Sequence, residues 1–132
     1  MRYLFDACSI YRMAENSETS NLVQQYTCSL VRYELGNILV KENRIFKRIT
    51  EEEQQKLLHF IGKALNFMGF ISLIGDEEKI LEVAMKYNMT FYDASYVYAA
   101  RKASAILVTE DGKIGKKIGD YIKVVSAAGL KA

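Results

Sequence analysis

The chain has 132 residues, of which 50% are hydrophobic and 26% are charged, and its formal net charge is +2. This size fits a single domain spanning residues 1–132, and the composition is that of a folded globular protein, which excludes a disordered or fibrous chain. The two cysteines, Cys8 and Cys28, form no CxxC motif and have no histidine near them in sequence, so neither a zinc site nor a disulfide framework is indicated. No apolar run approaches the roughly 20 residues of a membrane span, and we therefore expect a cytoplasmic protein with no membrane partner.

Short apolar runs alternate with amphipathic segments along the whole chain. The runs predict strands at residues 2–5, 25–29, 70–74, 105–109 and 122–125. The segments between them predict helices at residues 10–14, 30–42, 77–87, 90–102 and 113–118, together with a long helix that begins after Thr50. Strands that alternate with helices pair in parallel through right-handed crossovers. The pattern therefore predicts an α/β fold, a three-layer α/β/α sandwich with a parallel sheet of about five strands.

Local signals predict where several of these helices begin, end and bury apolar side chains. Ser29 is placed to cap the helix at 30–42, and Thr50 with Glu53 forms a capping box. Gly69 is placed to end the long helix, and Gly75 to turn the chain out of the strand at 70–74. Periodic positions predict the buried faces: Leu30, Val31, Leu35, Ile38 and Leu39 in the first helix, Leu57, Leu58, Ile61, Ala64, Leu65 and Met68 in the second, and Ile80, Leu81, Ala84 and Met85 in the third.

Four acidic residues occupy positions that direct them toward one edge of this sheet. Asp6 ends the first strand, and Asp111 follows the strand at 105–109. Asp93 lies in the first turn of a helix, and Glu34 lies within an apolar helical stripe, where an unpaired carboxylate is too costly to bury. Because functional groups in parallel sheets gather beyond the carboxyl ends of the strands, we expect these four side chains to converge there.

Each acid also has a purely structural explanation. Asp93, Asp111 and Asp6 are all placed to cap helices. Glu34 is not explained by capping, but a partner such as Arg32 or Lys41 remains open.

Together the acids raise an electrostatic difficulty. Two like charges about 4 Å apart repel by roughly 4 kcal/mol at an effective dielectric of 20, against a total stability of about 5 to 15 kcal/mol for a whole domain. Either the acids are apart, or they share protons, or a cation lies between them. Carboxylates favour a hard cation such as Mg²⁺ or Mn²⁺, and a metal held in this way suits phosphodiester hydrolysis.

Other chemistries find less support in the sequence. The single histidine, His59, lies off the main helical stripe and provides no basis for a catalytic triad. The lysines Lys113, Lys116 and Lys117 are usual for a solvated face, although beside Asp111 they are also placed to contact RNA phosphates.

The four acids lie in motifs that resemble those of a known family. The motifs are Phe5-Asp6-Ala7-Cys8-Ser9, Tyr33-Glu34, Tyr92-Asp93-Ala94-Ser95-Tyr96 and Val108-Thr109-Glu110-Asp111. Their order and spacing, over nearly the whole chain, resemble PIN-domain proteins of the VapC-type toxin group. The first motif departs from the family pattern, which often has Thr or Ser after the aspartate and then Asn or Ser, where this chain has Ala7 and Cys8.

The resemblance implies a function, a cofactor, partners and a site. It implies an endoribonuclease dependent on Mg²⁺ or Mn²⁺, usually a homodimer, that an antitoxin protein holds inactive. By position, it implies that Asp6, Glu34, Asp93 and Asp111 form the catalytic metal pocket and that Thr109 and Ser9 support it by hydrogen bonding.

Two other classes of function remain open from the sequence. A PIN-like chain with weak catalysis would serve as an RNA-binding or scaffold subunit, but the presence of all four acids favours the enzyme. A phosphatase or phosphoacceptor domain would need paired acids after the first strand, where Asp6-Ala7-Cys8 supplies one.

Overall fold

The computed structural model describes residues 1–130 and contains one five-stranded, fully parallel sheet. Its strands are β1 (Tyr3–Phe5), β2 (Tyr26–Thr27), β3 (Gly69–Phe70), β4 (Ile106–Val108) and β5 (Val124–Val125), arranged in the order β3-β2-β1-β4-β5. The central strand is β1, in which Leu4 lies opposite Tyr26 on one side and Leu107 on the other. Since β1 and β4 are adjacent and parallel, the residues that follow them meet at the same edge of the sheet.

Helices cover both faces of the sheet. They are α1 (Ala7–Glu15), α2 (Leu30–Arg44), α3 (Glu51–Asn66), α4 (Glu77–Tyr87), α5 (Phe91–Lys102) and α6 (Gly112–Ile118), with short 3₁₀ turns at Thr19–Leu22 and Ala127–Leu130. Buried side chains of α1, α2 and α3 pack with Phe5, whereas those of α4, α5 and α6 pack with Leu4. Successive β-strand residues point to opposite faces, so each core forms on its own side of β1. The predicted three-layer α/β/α sandwich is confirmed.

Two predicted caps have different outcomes. The capping box at the start of α3 is confirmed, because Thr50 Oγ1 accepts from the Glu53 N–H at 3.1 Å and Glu53 Oε1 accepts from the Thr50 N–H at 3.0 Å. The predicted capping bond of Ser29 is wrong. Its backbone is already helical, with φ −59° and ψ −26°, and its side chain makes no capping bond, whereas a capping residue normally has an extended backbone.

Gly69 does not end a helix as predicted. Helix α3 ends at Asn66, and Gly69 lies within β3, where a Cβ atom would come within 2.8 Å of the Tyr26 ring. Its function is therefore to allow close packing of the two strands. The strand predicted at 70–74 is shorter, and Ile74 is 90% exposed, while Gly75 turns the chain with φ +87° as expected.

The predicted apolar faces are confirmed for α2 in outline and need correction elsewhere. Val31, Leu35 and Leu39 are buried on α2. Leu58 on α3 and Leu81 and Met85 on α4 were expected in the core but are exposed. On α4, Ile80 and Ala84 are buried as predicted, and Val83 is buried in place of Leu81 and Met85. The buried face packs with the core that includes α5. Within residues 1–130, no helix is long and apolar enough to cross a membrane.

Candidate active site

Asp6 lies at the junction between β1 and α1 and is held by several hydrogen bonds. Its Oδ1 accepts from the Ser9 N–H at 2.9 Å, and its Oδ2 accepts from the Thr109 hydroxyl at 2.5 Å. The Ser9 hydroxyl donates to the backbone carbonyls of Asp6 and Val108, each at 2.9 Å. Burial raises the pKa of Asp6 despite these bonds, and the nearby Glu34 carboxylate raises it further. Asp6 is thus a helix cap and also a strongly desolvated acid.

Glu34 finds a partner that the sequence did not indicate. Its Oε1 accepts from the Tyr96 hydroxyl at 2.6 Å, and this bond joins α2 to α5 across the edge of the sheet. Arg32, one of the expected partners, lies over the Phe70 ring at 4.8 Å instead. Burial and then the Glu34 carboxylate raise the pKa of Tyr96, so its hydroxyl remains a donor at neutral pH. The signal available in the sequence was the spacing of Tyr96 three residues after Asp93, on the same helical face.

Asp93 does not cap its own helix. Thr90 performs that function, since its Oγ1 accepts from the Asp93 N–H at 3.1 Å. The pKa of Asp93 is raised first by burial and then by the charge of Asp111. Asp93 therefore presents a carboxylate whose ionised form is disfavoured in the absence of a cation.

These acids share one pocket. It has a volume of about 230 Å³ and is lined by three carboxylates and six other residues: Asp6, Glu34, Asp93, Ala7, Cys8, Asn37, Ile38, Lys41 and Tyr96. Asp111 is not part of this lining. Its exposed carboxylate caps α6 by accepting from the Lys113 N–H at 2.9 Å, and its N–H donates to Thr109 Oγ1 at 3.1 Å. The structure thus brings three of the four predicted acids into one pocket and places Asp111 beside it.

Among residues 1–130, no ion pair neutralises the charge of the pocket. The salt bridges between described residues join Arg48 to Glu42, Lys56 to Glu52 and Lys102 to Asp76, and none involves a pocket acid. Burial, together with the carboxylates of Asp6, Glu34 and Asp93, raises the pKa of the Cys8 thiol to about 11. Among residues 1–130, no three His, Cys, Asp or Glu side chains are placed to hold one ion together. The acids line an open pocket and do not form a closed cage.

The predicted basic residues on α6 are exposed at the edge of this region. Lys117 donates to the Asn88 carbonyl at 2.8 Å, and its charge partly offsets the rise in the pKa of Asp93. Lys113 and Lys116 are exposed and do not line the pocket. Of the three α6 lysines, Lys117 is therefore the one whose charge acts on the pKa of a pocket acid.

Two polar pocket residues were not identified as site residues from the sequence. Asn37 and Lys41 line the pocket from α2, together with Glu34. They follow Glu34 by three and seven residues, a spacing that places all three side chains on one helical face. That spacing was visible in the sequence, although it gains meaning only when Glu34 is located in the pocket.

Comparison with family models matched none, but individual known proteins are similar to this chain over most of its length. Exonuclease VapC9 of Pyrobaculum aerophilum is 29% identical over 126 residues, which cover 94% of this chain and 91% of that protein. Ribonuclease VapC3 of the same organism is 30% identical over 128 residues, which cover 89% of this chain and 95% of that protein.

A solved structure gives the same result for the fold. The crystal structure of PAE2754, also from Pyrobaculum aerophilum, matches with a TM-score of 0.79 and 25% sequence identity, covering 98% of this chain and 92% of that one. These matches extend over most of the chain and confirm the resemblance drawn from the four acidic motifs. The chain therefore belongs to the VapC family of PIN-domain proteins.

Proposed function

We propose that this protein is a metal-dependent endoribonuclease of the cytoplasm and the toxin of a VapBC-type toxin–antitoxin pair. The observation that carries the proposal is the pocket in which Asp6, Glu34 and Asp93 meet without a cationic partner within ion-pair distance among the described residues. The names of the relatives, an exonuclease and a ribonuclease, support nuclease activity.

The residues of the pocket fit Mg²⁺ or Mn²⁺ by their chemistry. Carboxylate oxygens are the ligands that these hard cations prefer, and Mg²⁺ usually keeps several waters and takes only one or two protein carboxylates. An open pocket of three acids is compatible with such partial coordination. One or two of the Asp6, Glu34 and Asp93 carboxylates would hold the metal directly, and the charge of Asp111, outside the lining, raises the pKa of Asp93. A bound metal would supply an activated water and offset charge on the scissile phosphate.

Hydrogen bonds from neighbouring residues fix the orientation of two pocket carboxylates. Thr109 and Ser9 orient the Asp6 carboxylate, and Tyr96 orients that of Glu34. Lys117, with Lys113 and Lys116 on the same helix, offers positive charge to RNA phosphates near the pocket.

The principal test is cleavage of RNA by the parent and by Asp93→Asn, with Mg²⁺, with Mn²⁺ and with chelator. Asn keeps the shape of the side chain but removes a charge that the metal needs, so we expect a large loss of rate. The metal-free variant should be at least as stable as the parent, because the substitution relieves repulsion. Cleavage that persists in chelator or in the variant would contradict the proposed mechanism.

The mode of cleavage needs its own substrate, since one relative is named an exonuclease. A covalently closed circular RNA has no ends, so only an endonuclease will open it. We expect this protein to linearise the circle with Mg²⁺ or Mn²⁺. A circle that stays intact while a linear RNA of the same sequence is degraded would show an exonuclease.

An RNA-binding or scaffold subunit with weak catalysis is the alternative function. The observation that favours it is that the Asp111 carboxylate is engaged in capping α6, and that no closed three-residue metal cage forms among the described residues. RNA binding without cleavage in any divalent metal would establish this alternative.

The proposed partners are an antitoxin and a second copy of the chain. Helices α2 and α3 carry exposed apolar side chains, among them Tyr33 and Phe60, and this uncovered apolar surface supports a homodimer. Specific interfaces usually bury about 1,200 Å² or more, so sedimentation at micromolar concentration should reveal a dimer, and a purely monomeric profile would exclude it.

For the antitoxin, expression of the chain should arrest growth, and the protein encoded by a neighbouring reading frame should relieve the arrest.

A further inference from the structure

Helix α2 contributes more than an acid to the pocket. Glu34, Asn37 and Lys41 all line it and lie on one face of the helix. With a rise of 1.5 Å per residue, Lys41 is about 10 Å along the axis from Glu34. The wall formed by α2 therefore changes along its length, from an acid through an amide to an ammonium.

Asn37 and Lys41 are exposed, and neither side chain makes a described hydrogen bond or ion pair. Glu42, the neighbour of Lys41, is instead paired with Arg48 at 2.9 Å. Asn43, farther along the same helix, donates to the Ile49 carbonyl at 3.0 Å. Glu42 and Asn43 thus have protein partners, whereas Asn37 and Lys41, which line the pocket, remain available to a ligand.

A polyanion that approaches three carboxylates is repelled unless a cation lies on its path. Lys41 is the only Lys or Arg that lines the pocket among the described residues. An ammonium and an amide N–H₂ are both donors suited to phosphate oxygens. A group about 10 Å along the axis from Glu34 is better placed for a neighbouring phosphate than for one at the acids.

We propose that Asn37 and Lys41 form a subsite that binds an RNA backbone phosphate next to the scissile one. The inference rests on the proposed nuclease function and adds to it the wall of the pocket along which the strand lies. Because the contact is made in the bound ground state as well as during reaction, its loss raises KM and leaves kcat nearly unchanged.

The test measures binding and cleavage separately. Binding of a fluorescent single-stranded RNA is measured by anisotropy in the Asp93→Asn background, where cleavage is blocked. Lys41→Met is compared with Lys63→Met, which removes an exposed lysine of α3 outside the pocket. We expect Lys41→Met to weaken binding about tenfold and to reduce the slope of log K against log salt by about 0.7, the value for one phosphate contact on a single strand. Lys63→Met should change neither quantity.

Two further variants sharpen the assignment. Lys41→Arg keeps the charge and should retain most of the affinity, and Asn37→Asp should weaken binding more than Asn37→Ala because it adds repulsion. In the catalytically active background, Lys41→Met should raise KM about tenfold with kcat changed less than about threefold.

The outcomes distinguish the subsite from the function on which it rests. If the parent binds and cleaves RNA while Lys41→Met behaves like Lys63→Met, the subsite is wrong and the nuclease proposal stands. A loss of kcat without a change in KM would also overturn the subsite, since it would place Lys41 at the scissile phosphate. If the parent neither binds nor cleaves RNA in any divalent metal, both proposals fail.

Discussion

The carboxyl ends of β1 and β4 each carry an acid, but the two acids lie in different environments. Asp6 follows β1 directly, caps α1 and is desolvated between Ser9 and Thr109. Asp111 comes three residues after β4, caps α6 and is exposed. Adjacent parallel strands bring both to one edge of the sheet. In this pair the acid directly at the strand end is desolvated and the acid three residues beyond is exposed, so one sheet edge offers two carboxylates with different chemistry.

Thr109 connects these two regions. Its hydroxyl donates to Asp6 Oδ2, and its Oγ1 accepts from the Asp111 N–H. The buried Thr109 side chain thus fixes both the carboxylate of Asp6 and the backbone of Asp111. The comparison can therefore be tested at either acid or at the link between them.

The largest expected difference is in catalytic rate. Asp6→Asn removes a pocket carboxylate, and we expect kcat with Mg²⁺ to fall by about a thousandfold, as the loss of several kcal/mol of charge stabilisation requires. Asp111→Asn removes only a charge beside the pocket and should cost about tenfold. Single-turnover cleavage of end-labelled RNA measures both. Equal losses would mean that Asp111 enters the pocket during reaction.

The reactivity of Cys8 reports on Asp6 and not on Asp111. Its thiol pKa is raised from 9.0 to about 11, first by burial and then by pocket carboxylates that include Asp6 but not Asp111. At about pH 8, two pKa units mean roughly a hundredfold less thiolate than in a free thiol; because the more basic thiolate is also the better nucleophile, alkylation should be slower by about 10- to 100-fold. The rate should rise about tenfold per pH unit until the thiol ionises.

Mass spectrometry of metal-free protein after iodoacetamide treatment follows Cys8 site by site. Asp6→Asn should accelerate the reaction, because it removes a charge that opposes the thiolate. Asp111→Asn should leave it unchanged. Acceleration by Asp111→Asn would show that the two acids share one electrostatic environment.

A smaller effect is expected at Thr109, the residue that connects the two acids. Thr109→Val removes the donor to Asp6, and a loss of activity of about 10- to 100-fold is expected if Asp6 is the metal ligand proposed above, because Thr109 orients its carboxylate. Thr27→Val is the matched control, since the Thr27 hydroxyl is also buried at the sheet but donates to the Phe5 carbonyl. Its cleavage rate should remain near that of the parent. A similar loss in both variants would indicate general destabilisation, which melting curves would reveal.

The smallest expected effects are on stability without metal. Asp111→Ala removes a helix cap and should destabilise the protein by about 1 kcal/mol. Asp6→Asn instead relieves the cost of burying a charge and should leave the melting temperature unchanged or higher. Chemical denaturation in chelator compares the two. Destabilisation by Asp6→Asn would mean that its capping bond outweighs the desolvation of its charge.

The raised pKa values of the buried acids predict how the stability of the metal-free protein depends on pH. The pKa of Asp6 and that of Asp93 lie above 3.8, so the folded state binds protons more readily than the unfolded state. Their contribution to stability is greatest in acid and falls as pH rises from 3.8 through the raised values. The melting temperature of the parent should therefore decrease between acidic and neutral pH more than that of Asp6→Asn, and added Mg²⁺ should restore it at neutral pH.

The sequence by itself determined the layered architecture, the parallel sheet and the position of each acid relative to its strand or helix. These follow from local physics: the alternation of apolar runs with amphipathic segments, and the short-range bonds of a capping box such as Thr50 with Glu53. The four acidic motifs, in their order and spacing, also sufficed to indicate the family that the relatives confirm.

Only the tertiary structure decided which acids share a pocket and what holds them. The bond between Tyr96 and Glu34 joins residues 62 apart in sequence, and that between Thr109 and Asp6 joins residues 103 apart. The exposure of Leu81 and Met85 likewise depends on how α4 is rotated against α5. The exact rotation of a helix and the depth of a side chain at a sheet edge are set by packing between distant segments, and local periodicity predicts the first only in outline and the second not at all.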